Sequence, residues 1–136
     1  MTDIISGCAN RGLHIDLNVS KATIFEISAD DRRLYLGGKG LALKLLADYL
    51  PPGCEPLDPE NVLVLAMGVY MGSGAPCSGR FAAASLSPLT GLVNTSSCGG
   101  PFGMAFKTAG YDVLVITGRA AEPATMVIDQ DGVRFE

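Results

Sequence analysis

Apolar and polar residues alternate in "GLHIDLN", with Leu13, Ile15 and Leu17 on one face and His14, Asp16 and Asn18 on the other. "KATIFEIS" follows with Thr23, Phe25 and Ile27 on one side. A period of two is that of a half-buried strand, so the two runs predict a hairpin turning near Asn18–Lys21. On this pattern His14 belongs to the solvated face. In "SADDRRLYL" the pattern changes. Ser28 can cap a helix, and Asp31 sits three residues on in capping-box fashion. "GGKG" should interrupt that helix. "LALKLLADYL" resumes it, with Leu41, Leu45 and Tyr49 on one face, until Pro51 and Pro52 stop it.

Further along, "NVLVLAMGV" and "YDVLVITG" are continuous apolar runs, the pattern of strands buried on both faces. "RFAAASLS" and "TGLVNTSS" read as two strands around "SPLTG", where Pro88 presets the bend. "GGPFGMAFKTAGY" is a short helix with Pro101 early and Gly110 at its C-terminal cap. "TMVIDQDGVRF" predicts a hairpin with Asp131–Gly132 in the turn. Many strands with two or three helices, without strict alternation, give an α+β class. Residues 1–136 make a single domain, and the short last strand is a thin finish, so the domain is read as incomplete.

Composition excludes several classes. Hydrophobic residues are 48% and charged residues 18% of 136, an ordinary globular balance. Net charge is −4 and no Lys/Arg cluster runs along a face, so no nucleic-acid partner is expected. "MTDIISGCANRG" lacks the basic start and apolar run of a signal peptide, and "VLVLAMGVYMG" is too short to span a bilayer. No membrane partner and a cytoplasmic location are the expectation. Cys8, Cys54, Cys77 and Cys98 form no C-x-x-C pair, and His14 is the one histidine. A closed zinc site or a complete iron–sulfur site is not expected from this chain alone, and free thiols are.

The 17 glycines cluster at 37–40, 68–79 and 99–110. "GGKG" and "GSGAPCSG" are phosphate-friendly, yet neither has the Gly-Lys-Ser/Thr of a P-loop, and a strand rather than a helix follows the second. With one histidine far from any activated serine or cysteine, acyl-transfer chemistry lacks support, and no catalytic residue is assigned. Cys77 and Cys98 fall in Gly-rich loops, where buried or inert thiols are the expected case over redox-active ones. Arg80 follows Ser78 and Gly79 at the mouth of a strand. Small neighbours there expose backbone N–H groups, a setting in which a guanidinium fork can grip a flat anionic ligand. On spacing alone, a solvated arginine after a flexible loop is the commoner case.

Six motifs in register change that balance: "LGGKGL" at Leu36–Leu41, "PLDPEN" at Pro56–Asn61, "MGSGAPCSGR" at Met71–Arg80, "SPLTG" at Ser87–Gly91, "CGGPFG" at Cys98–Gly103 and "KTAGYD" at Lys107–Asp112. In order and spacing they resemble the N-terminal domain of the aldehyde:ferredoxin oxidoreductases over nearly the whole chain. The resemblance implies a β-sheet-rich base on which a tungsten, or molybdenum, bis-molybdopterin lies. It implies that the full-length enzyme oxidises aldehydes to carboxylic acids and passes electrons through a [4Fe–4S] cluster to ferredoxin. The cluster ligands and the helical domains would lie outside this chain, whose cysteine spacing does not fit that cluster.

By the same resemblance Arg80 matches an arginine between a pterin and the cluster, while Ser78, Gly79, Gly99, Gly100 and Gly103 would allow close pterin approach. Where the family often has Asn in "Asn-Ser-Gly-Gly", this chain has Ser97. Ser97 could offer a hydroxyl to a magnesium ion bridging the pterin phosphates. The implied partners are the remaining domains and ferredoxin, with a homodimer through the exposed cofactor face. The alternative is a stand-alone, non-catalytic pterin-binding or assembly module.

Overall fold

A computed structural model describes residues 8–136. The expectation about a signal peptide falls largely on residues 1–7 and lies outside the described residues. The apolar runs become a mixed six-stranded sheet in the order β2-β1-β6-β3-β4-β5. β1 (Arg11–Asp16) and β2 (Lys21–Glu26) form the expected antiparallel hairpin. β6 (Val113–Thr117) runs parallel to β1, and β3 (Leu63–Met67) antiparallel to β6. β4 (Phe81–Leu86) and β5 (Val93–Cys98) continue from β3 as an antiparallel meander. This is the α+β class read from the sequence.

A separate pair, β7 (Met126–Asp129) and β8 (Gly132–Phe135), forms the last hairpin. Its turn is Gln130–Asp131, one residue earlier than the sequence reading, because Asp129 pairs with Gly132. The Asp129 carboxylate accepts from the Asp131 N–H at 2.9 Å and holds the bend, so Gly132, at φ 134°, opens the strand instead.

α1 (Ala29–Tyr35) starts as expected: Ser28 Oγ accepts from the Asp31 N–H at 3.0 Å and donates to the Asp31 carboxylate at 2.9 Å. α2 spans Gly38–Tyr49 and α3 Pro101–Thr108. The expected interruption falls at Leu36–Gly37: Gly37 is the N-cap of α2, and Gly38, Lys39 and Gly40 form its first turn. A Cβ on Gly40 would come 2.7 Å from the Tyr35 carbonyl oxygen, so glycine is what lets α2 begin directly against the end of α1. Among the described residues, no helix is long and apolar enough to cross a membrane.

The period-two pattern sorts side chains to two faces. One face packs Val64, Ala66, Ala82, Ala84, Val113 and Val115 against Leu41, Ala42, Leu45 and Leu46 of α2. Alanines in β3 and β4 remove bulk and seat the helix close to the sheet. On the other face, Leu13, Ile15, Met67 and Leu114 pack with Met71, Phe106 of α3 and Tyr111, flanked by Met126, Ile128, Val133 and Phe135 of the hairpin. Both faces are covered, which corrects the reading of His14. Its ring is half-buried, meets Tyr49 of α2 edge-on at 5.0 Å, and puts Nε2 2.8 Å from Thr117 Oγ1.

Two polar clusters tie these elements. Asn61, the last residue of "PLDPEN", donates from Nδ2 to the Pro56 and Leu86 carbonyls at 2.8 and 3.3 Å. Its Oδ1 accepts from the Val62 N–H at 2.8 Å. The motif thus fixes the entry to β3 against the end of β4. The second cluster is buried. Arg32 of α1 donates to Asp112 Oδ2 at 2.7 Å, to Asn10 Oδ1 at 3.1 Å and to the Leu36 carbonyl at 2.7 Å. Asp112 Oδ2 also accepts from the Asn10 N–H at 2.7 Å. Asp112 Oδ1 has no hydrogen bond among the described residues, but Lys107 Nζ lies 3.3 Å away as an ion pair. The side chains of Arg32 and Asp112 are 3% and 2% exposed.

Two outcomes follow from this packing. Asp112→Asn leaves two cations facing a neutral group and should cost about 3–5 kcal/mol, read as a lower urea midpoint at unchanged slope. Burial lowers the pKa of His14 from its ordinary 6.5, against a smaller upward pull from Asp16. The native state thus favours the neutral ring, so this contribution is present above pH 6.5 and is lost as pH falls through the lowered native value. Urea titrations of His14→Gln should show a shallower decline on acidification than the parent chain, and equal slopes would refute the assignment.

Candidate functional site

Register brings the two Gly-rich loops to one end of the sheet. Phe81, the first residue of β4, pairs with Cys98, the last of β5. Arg80 and Gly99 are the next residues outward, so they flank the same rung. A Cβ on Gly99 would lie 3.9 Å from the Gly79 carbonyl oxygen, while one on Gly79 or Gly100 would meet nothing within 4 Å. The start of α2 joins them: a Cβ on Gly37 would come 2.9 Å from the Met67 carbonyl at the end of β3.

Between these parts lies a cavity of about 420 Å³ lined by Gly38, Lys39, Arg80, Phe81, Ala82, Thr95, Ser96 and Ser97. Two basic and three hydroxyl-bearing residues line it, Thr95 and Ser97 on one face of β5 and Ser96 on the other, and no Asp or Glu is among them. The N-cap of α2, Gly37, makes no side-chain capping bond, and the first turn carries no acidic residue. The free N–H groups of that turn therefore add to the positive potential of Lys39 and Arg80. The arrangement suits an anionic, polar-edged ligand with a flat body resting on Ala82 and the small-residue strands. A larger groove of about 540 Å³ between the β1–β2 hairpin and β8 has one cation, Lys21, among mainly apolar neighbours and no comparable convergence.

The loop from Gly68 to Arg80 is shaped by its own hydrogen bonds. Ser73 Oγ donates to the Tyr70 carbonyl at 2.6 Å and Ser78 Oγ to the Ala75 carbonyl at 2.8 Å. The Gly68 N–H donates to the Arg80 carbonyl at 3.2 Å, and a Cβ on Gly68 would stand 2.8 Å from that oxygen. Cys77 takes φ 58° in this loop and is exposed, so of the buried or inert thiol expected there the burial does not hold. All four cysteines are unbridged.

Of the residues singled out from sequence, Arg80 and Ser97 share the cavity wall. Gly79, Gly99 and Gly100 lie beside it with open space over them. The Ser78 hydroxyl is committed to the loop. Gly103 is elsewhere: it lies on the buried face of α3, where a Cβ would meet Met71 Sδ at 2.6 Å, so its missing side chain seats the helix on the core. Sequence reasoning missed Lys39, Thr95 and Ser96. The available signal was a lysine between glycines at a helix start. Among the described residues, no group of three or more His, Cys, Asp or Glu side chains is placed to hold a metal ion.

Residues 12–136 match the family model described as aldehyde ferredoxin oxidoreductase, N-terminal domain. The tungsten-containing aldehyde ferredoxin oxidoreductase of Pyrococcus furiosus is 35% identical over 92% of this chain, and that of Thermococcus kodakarensis 34% identical over 92%. In both cases the chain spans only 21% of the relative's length. A solved structure titled as the active site complex BamBC of benzoyl coenzyme A reductase with 1,5-dienoyl-CoA superposes with a TM-score of 0.91 at 33% identity, covering 96% of this chain and 20% of that one. The chain belongs to the aldehyde ferredoxin oxidoreductase family, as its N-terminal domain.

Proposed function

We propose that this domain seats the cofactor of a tungsten, or molybdenum, bis-molybdopterin oxidoreductase. The observation that carries the reading is the carboxylate-free cavity where Arg80, Lys39 and the start of α2 converge beside the bare main chain of Gly79, Gly99 and Gly100. Phosphate and dithiolene groups are anionic, and a pterin edge is a row of donors and acceptors. Cations, hydroxyls and unpaired N–H groups are the chemistry that holds such a molecule, so the residues present fit it.

On this reading Arg80 grips the group with its planar fork, which a lysine could not reproduce, and Lys39 and the α2 amides neutralise phosphate. Ser97 offers a hydroxyl oxygen to a magnesium shell. Ala82 and the glycines keep side-chain bulk out of the seat. The bound group would supply two-electron redox chemistry in which an aldehyde and water give a carboxylic acid, two protons and two electrons. The electrons would leave through a [4Fe–4S] cluster held by other domains to ferredoxin. Tyr70, Phe102 and Met104, exposed beside this end, suit burial under those domains.

Relatives at comparable identity include, in Pyrococcus furiosus, an aliphatic sulfonate oxidoreductase WOR-like subunit (31%) and a glyceraldehyde-3-phosphate:ferredoxin oxidoreductase (36% over 81 residues). A fold shared across such names serves the seat, and substrate choice is assigned to residues beyond it.

The full-length enzyme tests the reading. It should carry tungsten or molybdenum with pterin, and a metal-free, pterin-free protein that still oxidises aldehydes would refute it. Arg80→Ala should weaken cofactor retention by about tenfold or more, the loss of one charge-assisted pair. Arg80→Lys should recover only part of it, as measured by metal and pterin per chain after dialysis.

A further inference from the structure

Lys107 has two partners, and only one serves the fold. Its Nζ is 3.3 Å from Asp112 Oδ1 in the buried cluster and also donates to the Val69 carbonyl at 3.3 Å. Val69 belongs to no strand or helix. It lies in the tight turn after β3, closed by the Met71 N–H donating to the Gly68 carbonyl at 3.1 Å. The same turn holds the Arg80 main chain through the Gly68 N–H at 3.2 Å. Its near end is fixed by the Met67 N–H, which donates to the Asp112 carbonyl at 2.9 Å. Asp112 thus anchors the turn twice, through its backbone carbonyl to Met67 and through its carboxylate to Lys107. The turn in turn sets where Arg80 leaves the sheet.

We propose that Lys107, held by Asp112, is a positioning residue for Arg80: it fixes the Gly68–Met71 turn so that the guanidinium enters the cavity in one pose, without itself lining that cavity. The inference rests on the reading of the Arg80 cavity as the cofactor seat. Groups that orient a ligand from behind commonly matter to its affinity nearly as much as the ligand's own contacts. Gly68 is a second lever on the same turn, because an added Cβ there would stand 2.8 Å from the Arg80 carbonyl oxygen.

The test uses the full-length enzyme with Lys107→Met, Lys107→Arg, Gly68→Ala, Arg80→Ala and Ile15→Ala. Ile15 is a fully buried residue near the opposite end of the sheet and serves as a stability control. Three quantities are read: Tm, tungsten and pterin retained against a chelator, and the potential at which the metal's paramagnetic signal is half-developed. Lys107→Met and Gly68→Ala should lose the bound group about 10- to 100-fold faster than the parent and shift the potential. Lys107→Arg should largely restore both, and Ile15→Ala should lower Tm while keeping both.

Parent-like retention and potential in Lys107→Met and Gly68→Ala would overturn the proposal, as would losses that merely follow Tm across all variants. If Lys107→Met does not fold, Gly68→Ala decides, since it leaves the ion cluster intact. Loss in Arg80→Ala with retention in the other two overturns the positioning role alone. Retention in Arg80→Ala overturns the cofactor seat and this inference together.

Discussion

Asp112 is the constraint on which this architecture turns. A carboxylate with 2% exposure needs compensating charge, and it takes that charge from Arg32 of α1 and Lys107 of α3. Both are elements that the sheet alone would not orient. Arg32 also satisfies the Leu36 carbonyl, at a residue held at φ 59°, an unfavourable conformation for leucine. A buried ion cluster of this kind adds little net stability compared with apolar packing. Its effect is to fix α1, α3, β1, β6 and the loop after β3 in one mutual arrangement.

The glycines divide by what stands over them. At Gly37, Gly40, Gly68 and Gly103, neighbouring atoms fill the place of a side chain, so glycine there is a packing requirement. At Gly79 and Gly100 nothing stands within 4 Å, and at Gly99 the one neighbour, the Gly79 carbonyl oxygen, is 3.9 Å away. The first group brings α1, α2, α3 and the loop close to the sheet. The second leaves main chain uncovered at the end where those elements meet. Glycine at these positions therefore answers two separate demands, close packing in the first group and bare main chain beside the cavity in the second.

Most of the fold was legible because its signals are local. Period-two runs, the Ser28 cap, Pro101 and Gly110 each act within a few residues, and each element they predict is present. What escaped depends on tertiary partners. His14 reads as solvated until Tyr49 of α2 covers its face. Arg32 and Asp112 are 80 residues apart, so neither announces the other. The site was legible in Arg80 and Ser97 through motifs in register, but not in Lys39, whose importance comes from where α2 begins. Gly103 looked like part of a ligand loop, and only the position of Met71 shows what it accommodates.

Ala82 belongs to two surfaces at once. It lies in the apolar cluster under α2 and forms part of the wall of the cavity beside Arg80. The cavity and the core thus share a floorboard, and neither can be resurfaced without disturbing the other. A molecule resting there would bind the folded strand and not the unfolded one, so its occupancy would add to resistance to unfolding.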